Sequence, residues 1–288
     1  MNVINKALFP KNEEIFSWIK DLSQWGHRKT GTPEGRKSAE YIAEKMRSFG
    51  LEDVKIEEVP SICMTVEDYA LNIEGREIPC FYANGTNRGA ESGTFEIGTN
   101  GETQEFVYLA SGEEEDFEKA DVKGKIVVCD IYFPPIDIAS LSDMFEGAQM
   151  YDPQGKTARK MKKYNIYTPG NWPFNYYRAL HNGAAGFIGI LENYYDDPYW
   201  YSEDYDDIGN LYGVDYMSLP AMWISRSSGK KLKDKFKEQS QLQGSMKMKS
   251  TYGYKNALNV SGKLPGKSPE IILAHSHHDA VFSGAVQD

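Results

Sequence analysis

The chain has 288 residues, of which 40% are hydrophobic and 26% are charged, with a net charge of -10 at pH 7. This length is sufficient for one large or two modest domains with real apolar cores, and the negative charge argues against binding to nucleic acid or anionic membranes. No apolar run approaches the length of a membrane span, and the first ten residues lack the apolar segment of a secretory signal, which favours a cytoplasmic location.

The sequence predicts two amphipathic helices and a strand before residue 60. The first helix is expected at residues 13–25, where apolar side chains recur at helical spacing. The second helix begins after Thr32, which can cap it, has Pro33 in its first turn and ends at Gly50. Its apolar stripe is formed by Ala39, Ile42, Ala43, Met46 and Phe49. A strand is then expected at residues 54–59.

Three segments in the middle of the chain predict buried strands with flanking helices. Residues 116–129 contain an acidic lead, a Lys-Gly-Lys turn and an apolar strand that ends at Cys129, which is most simply a buried thiol. Residues 177–190 predict a helix that ends at Gly183 and then an apolar strand. Residues 219–225 predict a strand followed by a Lys-rich helix with Leu232 and Phe236 facing inward. A disulfide between Cys63 and Cys80 is left open.

Residues 194–216 alternate aromatic and acidic side chains. Aromatic side chains give a large contact area at low entropic cost, so this segment suits a binding surface. The alternative is that its rings pack against the insert and its neighbouring domain. A calcium-binding EF-hand loop is not supported, because Ile208 stands at the fifth position counted from Asp204 and no Glu follows at the twelfth.

The most informative segment is His-Ser-His-His-Asp at 275–279, which follows an apolar run predicted to be a strand at 270–274. Neutral imidazole is a common zinc ligand, and residues two apart in a strand share a face. We therefore predict that His277 binds zinc and that Asp279 orients its ring. His278 is expected to face the opposite side and His275 to have a packing role. A purely incidental histidine cluster is the alternative.

Two metal-site patterns compete for these residues. The metallo-β-lactamase-like pattern His-x-His-x-Asp-His fits until its last position, where Ala280 stands in place of a histidine ligand. The co-catalytic zinc exopeptidase pattern, a strand with His-x-Asp and then a loop with a further Asp, fits throughout with Asp288 as the second ligand. We favour the exopeptidase pattern and keep a metallo-β-lactamase-like hydrolase as the third hypothesis.

The segment 259–266, together with 270–279, resembles the first half of a zinc aminopeptidase of metallopeptidase family twenty-eight, which includes bacterial leucyl aminopeptidases, glutamate carboxypeptidase and the transferrin receptor. The Gly-Thr turn and helix at 28–51 are similar to the same family, and the three middle segments resemble a protease-associated domain. The resemblance implies an α/β fold, with an incomplete exopeptidase sheet flanked by helices and interrupted by a β-rich insert. The implied domains are 1–60, the insert at 61–250, and 251–288, with strand 270–274 beside 259–261.

The resemblance also implies an exopeptidase that hydrolyses peptides with two zinc ions, aminopeptidase in preference to carboxypeptidase. His277 would bind one zinc and Asp288 would bridge the pair. Relatives often place the bridging Asp at the position of Gln287, but a Gln cannot supply the negative charge. The general-base Glu and the remaining ligands are expected after residue 288, so we expect the chain by itself to be inactive. The alternative is a peptidase-like binding protein without metal that uses the insert and its Tyr/Asp-rich loop.

Overall fold

The computed structural model describes residues 9–98, 102–135, 137, 139, 152–156, 159–160, 169–202 and 209–281. Its helices are α1 Asn12–Ser23, α2 Pro33–Ser48, α3 Glu114–Glu118, α4 Phe174–His181 and α5 Arg226–Glu238, with a 3-10 turn at Asn210–Tyr212. Its strands are β1 Glu52–Ile73, β2 Arg76–Glu77, β3 Cys80–Tyr82, β4 Gly93–Ile97, β5 Gln104–Tyr108, β6 Ile126–Tyr132, β7 Gly186–Glu192, β8 Ala221–Ser225 and β9 Gln241–Lys263.

The strands form one mixed sheet in the order β2-β1-β9-β5-β6-β7-β8-β3, with β4 paired to β9 outside that path. Contacts divide the chain into two units, Met1–Cys63 with Gly253–Asp288, and Met64–Tyr252. Both long strands, β1 and β9, therefore continue from one unit into the other. The boundaries predicted from the sequence lie at 60/61 and 250/251. The identity of the second unit as a protease-associated domain stays a prediction.

Parallel strands β5, β6, β7 and β8 form the core of the second unit. Val128 pairs with Ile188, and Ile188 with Met222, so that apolar side chains lie in register across three strands. All residues of β8 are buried, as are all but the last of β7. Strands buried on both faces read as continuous apolar runs, which is why the middle segments could be predicted. The buried thiol at Cys129 is also confirmed, with an exposure of 0%.

The two faces of this parallel sheet are covered by helices and aromatic side chains. Trp223 contacts Trp172 at 4.6 Å and Trp200 at 4.9 Å between ring centroids. Helix α5 packs Leu232 inward, and its Phe236 stacks on a tyrosine ring of β5. A Cβ at Gly189 would lie 2.4 Å from the Trp223 ring, so glycine is required there by close approach.

A charge cluster joins α5 to strands β6 and β7. Lys233 Nζ lies 3.1 Å from an Asp130 carboxylate oxygen and 2.5 Å from one of Glu192. The Tyr108 hydroxyl donates to the other Asp130 oxygen at 2.7 Å. Burial lowers the pKa of Lys233, but hydrogen bonds and charges from both carboxylates outweigh it and raise that pKa above its usual value. The cluster therefore keeps Lys233 charged and ties the helix to the sheet.

Helix α2 of the first unit begins and packs as its sequence predicts. The Thr32 hydroxyl accepts a hydrogen bond from Gly35 N at 3.1 Å, and Pro33 occupies the first position. Ala39 and Ala43 are fully buried. Phe49 departs from the predicted stripe, because it is 57% exposed and contacts Trp18 edge-on at a centroid distance of 5.5 Å.

The predicted strand at 270–274 is wrong. These residues have no regular structure, and Ile271, Ile272 and Leu273 are 91%, 95% and 80% exposed. A strand needs a neighbour to take its backbone hydrogen bonds, and in the described ranges no strand pairs with this segment. An apolar run indicates where a strand can form, but whether it forms depends on a neighbouring strand from another part of the sequence.

Two smaller findings concern the same described ranges. None of their helices combines the length and the apolar character required to cross a membrane. The three cysteines are free thiols, so the open question of a Cys63–Cys80 disulfide is answered against the bond.

Candidate functional site

The histidine segment lies along a groove in the first unit. The groove has a volume of about 1300 Å³ and is lined by α2, by the last part of β9 and by residues 272–279. Strands β4 and β5 pair with residues 248–252 and 241–244 of β9, so the part of β9 that lines the groove lies beyond both pairings.

His277 and Asp279 form a hydrogen-bonded pair at this groove. Nδ1 of His277 lies 3.0 Å from Oδ1 of Asp279 and 3.1 Å from the Asp279 carbonyl oxygen. The two side chains are 63% and 50% exposed. A carboxylate can only accept, so the bond favours the tautomer with hydrogen on Nδ1. In that tautomer Nε2 carries the lone pair, and it is the nitrogen through which a neutral imidazole would bind a metal ion.

His278 is bound on two sides and plays a different part. Its Nδ1 lies 3.2 Å from the Ser38 hydroxyl of α2, and its Nε2 lies 2.8 Å from the Leu258 carbonyl of β9. The ring thus connects a helix to a strand. This role could not be predicted from the sequence, because both partners lie far away along the chain and no local pattern indicates them.

The Gly-Thr turn before α2 contributes residues that sequence analysis also missed. Arg28 is only 4% exposed, and its Nε donates to the His278 carbonyl at 2.8 Å. Thr30 donates through its hydroxyl to Oδ2 of Asp279 at 3.3 Å. Lys29 lies between these two residues in the sequence, and burial lowers the pKa of its ammonium group. This turn therefore meets the histidine segment directly.

The other predicted site positions have different outcomes. His275 is exposed, so the expected packing role is wrong; without a strand at 270–274, nothing directs its side chain inward. Ala280, where the competing pattern needs a histidine, is 7% exposed. Asp288 lies outside the described residues. Within the described ranges, no group of three His, Cys, Asp or Glu side chains could together hold a metal ion. The exposed His277 ring fits a single ligand position.

No protein-family model and no curated protein sequence matches the chain. Its structure is similar to that of an aminopeptidase from Aneurinibacillus sp. strain AM-1, with 18% identity and a TM-score of 0.54 over 96% of this chain and 55% of that one. It is also similar to a zinc aminopeptidase from Bacillus subtilis, with 20% identity and a TM-score of 0.56 over 96% and 53% of the two chains. A Peptidase M28 precursor from Shewanella amazonensis SB2B has 15% identity and a TM-score of 0.54 over 85% and 49%.

These similarities confirm the predicted fold class, an α/β sheet flanked by helices like that of the zinc aminopeptidases. At this level of identity they concern the fold alone. The chain spans about half the length of the solved structures that it matches.

Proposed function

We propose that this chain carries the first part of the metal site of a zinc-dependent aminopeptidase. The observation that supports the proposal best is the His277–Asp279 pair, an exposed imidazole whose Nδ1 is held by a carboxylate. Metal-ligating histidines almost always donate their second ring N–H to such a group, which fixes the tautomer and makes the ring a better ligand. The fold shared with zinc aminopeptidases supports the same assignment.

In this proposal His277 would hold zinc through Nε2, with Asp279 fixing the ring through Nδ1. Asp288 would supply a further ligand. When bound, zinc lowers the pKa of a coordinated water and polarises the carbonyl of the scissile bond. The substrate is a peptide, and the general-base Glu and the remaining ligands belong to sequence after residue 288, as the family resemblance implies. The second unit serves as a protease-associated insert.

A second candidate is a peptidase-like binding protein. The observation that favours it is the exposure of three tyrosine side chains in the Tyr/Asp-rich loop, with values of 57%, 50% and 43% for Tyr195, Tyr199 and Tyr201. Aromatic side chains at a surface suit protein recognition. In that case zinc would not bind through His277, which separates the two candidates.

Zinc titration of the purified chain tests the proposal. Isothermal titration calorimetry with zinc chloride should detect weak binding, and dialysis against a chelator should leave well under one zinc per chain, because two protein ligands leave most of the coordination sphere to water. His277→Ala should remove the binding. Asp279→Ala should weaken it by about 10–100-fold, the usual effect of losing a ligand's hydrogen-bond partner. His275→Ala, at a neighbouring exposed histidine, is the matched control and should change little.

Two outcomes would contradict the proposal. Zinc binding that survives His277→Ala would place the metal elsewhere, and stoichiometric zinc that survives chelator dialysis would mean a complete site of another kind. An aminoacyl-anilide assay with added zinc completes the test. We expect no turnover by this chain. Turnover by the wild type would contradict that expectation, and equal turnover by His277→Ala would also exclude His277 from the chemistry.

A further inference from the structure

The segment around Asp279 is fixed by Arg28 through both its backbone and its side chain. Arg28 N donates to the Ala280 carbonyl at 2.7 Å, and Ala280 N donates to the Arg28 carbonyl at 3.4 Å. The guanidinium Nε donates to the His278 carbonyl at 2.8 Å, and one of its terminal nitrogens reaches the Leu22 carbonyl at 3.4 Å. The residues on each side of Asp279 are therefore attached to one buried arginine.

The carboxylate of Asp279 is held at both of its oxygens. Oδ1 accepts from His277 Nδ1 at 3.0 Å, and Oδ2 accepts from the Thr30 hydroxyl at 3.3 Å. A carboxylate with one partner can rotate about its Cβ–Cγ bond, whereas partners on both oxygens define its plane. The orientation of the plane then determines where the His277 ring points.

The neighbouring side chain completes the attachment. The His278 ring lies between the Ser38 hydroxyl at 3.2 Å and the Leu258 carbonyl at 2.8 Å. This places an anchored residue directly between His277 and Asp279. The segment thus keeps a defined geometry although it contains no helix or strand.

We propose that Arg28 and Thr30 are positioning residues for the metal ligand His277. Arg28 holds the backbone that carries Asp279, and Thr30 fixes the carboxylate, which in turn sets the tautomer and direction of the His277 ring. The inference rests on the proposed function for its meaning in zinc binding. The geometry itself concerns only residues of this chain and can be measured without metal.

The sharpest test uses Thr30, because its contact is to a side chain and a substitution can remove only the hydroxyl. Thr30→Val keeps the shape and deletes the donor, whereas Thr30→Ser keeps the donor. Thr94→Val is the matched control. The Thr94 hydroxyl is hydrogen-bonded to the Thr251 hydroxyl at 2.9 Å on an exposed surface of the second unit, so the same change is made away from the groove. Arg28→Lys is a further variant that keeps the charge and loses the Nε donor. Because a buried arginine also supports folding, the comparison of Thr30→Val with Thr30→Ser is the decisive test of the positioning role.

Two readouts are needed. Long-range proton–nitrogen correlation spectra of the metal-free protein at pH 8 report the tautomer of His277, and calorimetry with zinc chloride reports its affinity. We expect the Nδ1–H form to predominate in the wild type and to lose population in Thr30→Val. We expect zinc affinity to fall by about 2–10-fold, as for the loss of one hydrogen bond, with Thr30→Ser close to wild type. Thermal unfolding should show that all three threonine variants are folded.

The outcomes separate this inference from the proposed function. If the wild type binds zinc through His277 but Thr30→Val changes neither readout, the positioning role is overturned and the zinc site stands. If Thr30→Val shifts the tautomer while zinc does not bind at His277, the positioning contact stands and the proposed function fails. A loss in Thr30→Ser equal to that in Thr30→Val would also overturn the inference, because the hydroxyl would not be responsible.

Discussion

Replacing His278 by alanine should lower the stability of the first unit far more than it affects zinc binding. The change removes a hydrogen bond to the Ser38 hydroxyl and one to the Leu258 carbonyl. Each such bond contributes about 0.5–1.5 kcal/mol net, so the two together give a loss of about 1–3 kcal/mol. The half-buried position of the ring keeps the expected value near the middle of that range. His277→Ala should remove zinc binding and change the stability of the first unit little, because the His277 ring is exposed.

The assay must observe the first unit separately, since a protein with two units need not unfold in one step. Trp18 and Trp25 both lie in that unit, so their indole N–H signals can be followed by NMR during a urea titration. Calorimetry with zinc chloride on the same samples gives the effect on metal binding. Ser38→Ala provides the comparison, and the double variant should cost less than the sum of the two single variants because they share one hydrogen bond.

The reasoning is refuted if the two histidines exchange roles. Loss of zinc binding in His278→Ala with unchanged unfolding, together with retained binding in His277→Ala, would mean that His278, and not His277, is the ligand. A fall in stability of His277→Ala equal to that of His278→Ala would show that the exposed ring supports the fold, which its position does not explain.

Three further predictions concern the second unit. Lys233→Met should lower its stability by about 1–2 kcal/mol at neutral pH, after allowance for solvent screening, and Lys233→Arg should lose less. Because the pKa of Lys233 is raised in the folded state, its contribution is present below the unfolded pKa and disappears as pH rises through the folded one. The difference in stability between Lys233→Met and wild type, measured by urea titration, should therefore shrink as pH rises through that raised pKa. Gly189→Ala should destabilise the unit by about 1–3 kcal/mol through the clash with Trp223. Gly170→Ala, where the nearest atom to an added Cβ lies 3.9 Å away, is the control and should be tolerated in the same denaturation assay. Burial raises the pKa of the Cys129 thiol well above its usual value, so a disulfide reagent at pH 8 should label it only after unfolding, and rapid labelling of the native protein would contradict the buried position.

The elements that sequence analysis predicted correctly are those whose signals are local. Helix α2 begins at Thr32 and Pro33, because capping and proline geometry act within one turn. The buried strands of the second unit are short apolar runs between turn residues, and Cys129 inherits its burial from the strand around it. In each of these cases the residues that decide the structure are neighbours in sequence.

The features that were missed depend on distant residues. The apolar run at 270–274 needs a neighbouring strand to become one, and its own sequence does not supply it. His278 was predicted to turn away from His277, but its contacts with Ser38 and Leu258 could not be inferred from alternation along a strand that does not form. Arg28 and Ala280, which pair through their backbones, are 252 residues apart in the sequence. Thr30 and Asp279, which are in contact, are 249 residues apart.

The continuity of β1 and β9 across both units has a consequence for folding kinetics. The first unit is built from two chain segments that are separated by the whole of Met64–Tyr252, and β1 and β9 are neighbours in the sheet. Closing an unfolded loop costs more entropy as it lengthens, by about 0.6 kcal/mol for each doubling, and contacts distant in sequence slow folding. Folding of the second unit orders the residues 64–252 that separate the two segments, so less entropy remains to be lost when the first unit closes. We therefore expect the first unit to form after the second, and substitutions that slow folding of the second unit to delay the first by the same factor.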